Sequence, residues 1–131
     1  MKYVLDASGA FEILFKKEKA KRYTELLSNA DTVISSTLYK AECVNVLWKY
    51  VRAGQIEEEK ALPSIDRLFD LVDVFVDPGE NAVESFHEAV RLGHSVYDML
   101  YFTLARRNGA VLLTSDTRLS ALALQEGVQA E

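Results

Sequence analysis

Two carboxylates stand where apolar runs stop. In YVLDAS the residues Tyr3, Val4 and Leu5 give way to Asp6, and in VLLTSDTRL the run ends in Thr114, Ser115 and Asp116. A single Asp in such a place is ordinary, because it opens the turn or helix after a strand. Two at opposite ends of one chain raise the question of whether they meet. Glu42 lies in the early turns of LYKAECVNVLWKY among Ala41, Cys43, Val44 and Val46, and Asp98 opens DMLYFTLA, the most apolar helical segment. Helix starts favour the ionised carboxylate. Taken singly, each acid reads as a cap or a surface charge. Four on one rim would repel and raise one another's pKa, which makes a divalent cation their natural partner. Oxygen donors without His or Cys select Mg²⁺ or Mn²⁺ over zinc. Such ions lower the pKa of water and clamp the oxygens of an in-line phosphoryl displacement.

Positioning these acids requires a scaffold, and the chain alternates between two periodicities. Residues 2–6 and TVISS read as buried strands, with ASGAFEILFKK and EKAKRYTELLSNA as helices between them. A helix runs from Leu38 to Ala53, closed by Gly54. QIEEEKALPSIDRLFDL is helical, and Pro63 predicts two pieces or a kink. VDVFVD alternates like a half-buried strand. Asp77, Pro78 and Glu80 form a helix-start signal, YDMLYFTLARRNG closes at Gly109, and AVLLT, DTRLSALALQEG and VQA read as strand, helix and the start of a last strand. Strands alternating with helices predict a mostly parallel sheet covered on both faces. Ligands of such sheets bind outside the carboxyl ends of the strands, where Asp6 and Asp116 both fall.

The 131 residues fit one domain, residues 1–131, without repeats or linkers. Cys43 is the only cysteine, which excludes an internal disulfide, and His87 and His94 form no zinc pattern with it. No apolar stretch approaches the roughly 20 residues of a membrane span, so no membrane role and a cytoplasmic location are expected. The net charge of −5, from 20 acidic and 15 basic residues, argues against a uniformly basic nucleic-acid-binding surface. It leaves room for a local basic strip beside an acidic metal site.

The set YVLDAS, STLYKAECVNVL, SVYDMLYFTLA and VLLTSDTRL resembles the PIN-domain family of metal-dependent ribonucleases, and most of all its small VapC-like toxin members. The likeness covers nearly the whole chain, with the acids in matching order. It implies a three-layer α/β/α sandwich around a mostly parallel sheet of about five strands, with a two-helix projection at residues 55–71. It also implies that Asp6, Glu42, Asp98 and Asp116 are the catalytic residues and hold Mg²⁺ or Mn²⁺. A family hydroxyl falls within Thr114-Ser115, and Ser8 is expected to join these two in supporting the acids. Gly9 stands where relatives carry an apolar residue, and it is expected to loosen the first helix. The expected activity is cleavage of RNA phosphodiester bonds by the toxin of a toxin–antitoxin pair. A homodimer and a cognate antitoxin are the expected protein partners.

Other residues carry competing readings. Arg118 is the best single candidate for a phosphate contact, and Lys16, Lys17 and Lys19 of KKEKAKR form either a solvated helix face or an RNA contact. Asp77 is taken as a cap, His94 as a surface or loop residue and Cys43 as a small buried hydrophobe. Tyr39, Trp48 and Tyr50 read first as core and second as a dimer face. Two other functions compete. One is aspartyl-phosphate chemistry of the phosphatase or receiver kind, although Ser8 stands where such phosphatases want a second Asp. The other is a PIN scaffold that binds partners without cutting RNA.

Overall fold

The apolar run that opens the chain forms β1 (Lys2–Leu5), with Val4 and Leu5 fully buried. The computed structural model describes every residue from Met1 to Glu131. Helices α1 (Ala7–Leu14) and α2 (Ala20–Ser28) lead to β2 (Thr32–Ser36), and α3 (Leu38–Arg52) and α4 (Glu58–Asp70) lead to β3 (Val74–Val76). A 3₁₀ turn at Pro78–Glu80, then α5 (Ala82–Leu92) and α6 (Val96–Asn108), precede β4 (Val111–Leu113), and α7 (Thr117–Gln125) follows it.

The strands pair in the order β3-β2-β1-β4, all parallel, with Val4 opposite Ile34 on one side and Leu112 on the other. The chain thus moves outward from β1 to β3 and then crosses back to β4. Right-handed crossovers in opposite directions put α1 to α4 on one face and α5 with α6 on the other. The three-layer α/β/α expectation holds, but the sheet has four strands and not five. Residues 129–131 run beside β4, where Ala130 forms a lone parallel bridge with Leu112. That pairing is too short to count as a strand.

Helix α6 is buried continuously from Met99 to Ala105, as its nearly unbroken apolar sequence requires. It packs on β1, β2 and β4 together. No helix is long and apolar enough to cross a membrane. The expected two-helix projection is a correction: α4 is one helix running through Pro63. Both Pro63 and Glu59, whose carbonyl loses its donor there, face solvent, so water satisfies the freed group. On its other side α4 is tied to α3 by the Tyr39 hydroxyl, which donates to the Leu68 carbonyl at 2.6 Å.

Gly9 is the second correction. It is buried, and a Cβ there would stand 2.8 Å from the Leu113 carbonyl oxygen. The missing side chain lets α1 pack directly against the end of β4. The absence is a packing requirement, and α1 is not loosened by it.

Candidate active site

The strand order reverses between β1 and β4, and ligands of such sheets bind at the carboxyl ends of the strands there. Asp6 follows β1 directly and is 6% exposed. Its Oδ1 accepts from the Gly9 N–H at 2.8 Å and from the Ser8 hydroxyl at 2.7 Å. Ser8 in turn lies 3.2 Å from the Thr114 hydroxyl and accepts from the Ser115 N–H at 2.9 Å. The Thr114 hydroxyl accepts from the Asp116 N–H at 3.1 Å. Two hydroxyls therefore stitch the loop after β1 to the loop after β4. Ser115 takes part through its backbone and not through its own hydroxyl.

Glu42 reaches the same rim from α3 and is half-buried, with the Tyr101 hydroxyl of α6 donating to its Oε1. Asp98 sits in the first turn of α6, capped through its N–H by Ser95 at 3.2 Å. Burial pushes the Asp6 carboxyl up to about 6, against hydrogen bonds from Thr114, Ser8 and Gly9, and the charge of Glu42 adds to the rise. Burial likewise raises Glu42; the Tyr101 hydroxyl opposes this, and repulsion from Asp98 adds to it. Asp6, Glu42 and Asp98 thus form a chain of mutually repelling carboxylates. No Lys or Arg pairs with any of them; the only basic side chain beside them is His94, whose Nε2 lies 3.0 Å from Asp98 Oδ2.

This donor set suits a hard divalent cation: all oxygen, largely buried and without a neutralising side chain. No three acidic, His or Cys side chains, however, stand close enough together to grip one ion. Asp116 lies on the same rim but is exposed, its Oδ1 accepting from the Arg118 and Leu119 N–H groups at 3.0 and 3.1 Å as the cap of α7.

Among the basic candidates, Lys19 alone reaches this rim, its Nζ 3.3 Å from the Thr114 carbonyl oxygen. Arg118 is exposed and free of ion pairs, while Lys17 lies over the Phe15 ring and Lys16 is exposed with a left-handed backbone. Asp77 is a cap, accepting from the Gly79 N–H at 2.7 Å, and Cys43 is fully buried. Tyr39 is core, but Trp48 is 52% exposed, so the core reading fails for it. His94 lies in the loop between α5 and α6 as expected, but its side chain is only 5% exposed. Tyr101 and Glu12 were missed. Tyr101 follows Asp98 by one helical turn, a spacing that could have flagged it. Glu12 is buried with an Oε2 that has no hydrogen-bond donor, and its apolar neighbours gave no sign of that.

Residues 3–124 match the PIN domain model, so the chain belongs to the PIN domain family. It is 30% identical over 122 residues to Ribonuclease VapC3 of Pyrobaculum aerophilum, covering 92% of this chain and 93% of that protein. A crystal structure from Pyrobaculum aerophilum superposes with a TM-score of 0.77 at 25% identity, covering 99% of this chain and 83% of that one. VapBC2 of Rickettsia felis, solved bound to a promoter DNA fragment, matches in fold with a TM-score of 0.71 at 18% identity, covering 100% of this chain and 98% of that one.

Proposed function

We propose that this protein is a Mg²⁺- or Mn²⁺-dependent endoribonuclease, the toxin of a toxin–antitoxin pair. The observation that carries the reading is the buried Asp6 coupled to Glu42, with both carboxyls raised and neither paired with a cationic side chain. Membership of the PIN family and likeness to a ribonuclease support the same conclusion. They also set aside the aspartyl-phosphate alternative.

In this reading Asp6, Glu42 and Asp98 hold the cation, and Asp116 joins them from the loop after β4. The bound ion supplies Lewis-acid polarisation of a phosphoryl oxygen and a lowered pKa for the attacking water. Ser8 and the Gly9 N–H orient Asp6 through its Oδ1, and Thr114 supports it through Ser8. Tyr101 fixes Glu42 in the same way. Lys19 at the rim, and Arg118 two residues after Asp116, hold the RNA backbone, offsetting the repulsion between phosphate and the acids. The protein acts in the cytoplasm as a homodimer, and a cognate antitoxin covers the rim. The fold likeness to VapBC complexes from Rickettsia felis, Haemophilus influenzae and Salmonella typhimurium supports the antitoxin. Exposed Val44 and Trp48 on α3 suit a dimer face, which a monomeric mass by light scattering across the micromolar range would contradict.

The test is RNA cleavage by purified protein with Mg²⁺ or Mn²⁺, with EDTA, and with Asp6→Asn. Cleavage is expected with either metal, none with EDTA, and a loss of orders of magnitude in the variant. Full activity in EDTA would defeat the reading.

A further inference from the structure

Leu38, Ala41, Glu42 and Asn45 recur at the spacing of one face of α3, so this face carries more than the acid. Together with Tyr97 of α6 they line a shallow concavity of about 300 Å³. Two tyrosines one helical turn apart therefore lie beside Glu42. Tyr101 is buried, and its hydroxyl donates to the carboxylate. Tyr97 directly precedes Asp98, is 64% exposed and takes no part in the hydrophobic core. No Lys or Arg lines the concavity, which makes it a poor seat for phosphate. An aromatic ring, aliphatic side chains and one amide suit a flat heteroaromatic group with hydrogen-bonding edges.

We propose that this concavity receives an unpaired base of the RNA, from a nucleotide beside the bond that is cut. Tyr97 supplies the ring on which the base stacks, Leu38 and Ala41 supply aliphatic surface, and Asn45 supplies an amide for the base edge. The proposal rests on the reading of the acid rim as a ribonuclease site. Its location follows from Glu42, which lines the concavity and belongs to the rim, and from Asp98, the chain neighbour of Tyr97. A base stacked within a duplex cannot offer its face to a side chain, so the site selects single-stranded or loop RNA.

The test is cleavage kinetics in Mn²⁺ on a single-stranded oligoribonucleotide that the wild type cuts at one bond. Two further versions of that RNA lack the base on one or the other side of the bond. On the intact RNA, Tyr97→Ala should lower kcat/KM by roughly 5- to 150-fold, the worth of stacking one base. Tyr97→Phe keeps the ring and should stay close to wild type, whereas Tyr97→Leu keeps bulk without a ring and should behave like Tyr97→Ala. Asn45→Ala should show a smaller loss. One of the two abasic RNAs should be cut equally poorly by wild type and Tyr97→Ala, because the ring then has no base to hold. Unfolding temperature and mass by light scattering should match wild type in every variant. Unchanged kcat/KM in Tyr97→Ala, or its full loss persisting on both abasic RNAs, overturns the proposal. A lowered mass in Tyr97→Ala also overturns it, by assigning this face to a protein contact. If the wild type cuts no RNA, the ribonuclease reading fails and the base site with it. If the wild type cuts and the Tyr97 effects are missing, only the base site falls.

Discussion

Asp6 sets the energetics of the site at the scale of single residues. Its carboxyl rises from 3.8 to about 6 on folding, chiefly by burial. A raised folded pKa means that the native state holds more protons than the unfolded state between those values. Metal-free stability therefore falls as pH rises from about 4 to about 6, by roughly 3 kcal/mol from this group. Glu42, also raised, adds a contribution of the same sign. Asp6→Asn should remove most of that slope and make the metal-free protein more stable at neutral pH, as chemical denaturation across the pH range would show. A flat wild-type profile would contradict this. Gly9 makes the other prediction at this scale. Gly9→Ala gains helix propensity of about 0.8–1.0 kcal/mol, but its methyl meets the Leu113 backbone. Overpacking against backbone costs about 1–3 kcal/mol, so a net loss in denaturant midpoint is expected, and an unchanged or raised midpoint would contradict the close approach.

The elements show which parts of this arrangement are legible in the sequence. Asp6 and Asp116 could be placed because each ends an apolar run, and a parallel sheet puts all strand ends of that kind on one rim. Glu42 and Tyr101 could not be paired from sequence, since the two helices meet only through the crossover from β3 back past β1. His94 could be placed in a loop, but the burial of its ring could not be read, because it depends on two caps acting on one short turn. The fifth strand was overcounted because VQA has strand-like residues but only one bridging partner. Asp116 caps α7, and the proposed function gives it a second role that substitutions can separate. Asp116→Asn keeps an acceptor for the α7 N–H groups, so stability should change by a few tenths of a kcal/mol while cleavage drops by orders of magnitude. Asp116→Ala should lose activity and about 1 kcal/mol of stability as well. Equal cleavage by wild type and Asp116→Asn would reduce this acid to a cap.

At the scale of the whole molecule, a net charge of −5 is a poor fit for generic nucleic-acid binding. On the proposed function, affinity for RNA would come from a few cations near the rim. Arg118→Ala should therefore weaken RNA binding and flatten its dependence on salt by about one charge, while the metal-free fold stays intact. Filter binding over a range of salt concentrations measures both. An unchanged salt slope would move the phosphate contact elsewhere.

The central claim of the proposed function is that Asp6, Glu42, Asp98 and Asp116 would hold a divalent cation, which would supply an activated water for attack on the phosphodiester. Water attack needs no neighbouring 2′-hydroxyl, so the chemistry leaves its signature in the product ends. Mass spectrometry of an oligoribonucleotide cleaved in Mg²⁺ or Mn²⁺ should find 5′-phosphate and 3′-hydroxyl ends. Ends carrying a 2′,3′-cyclic phosphate would contradict it.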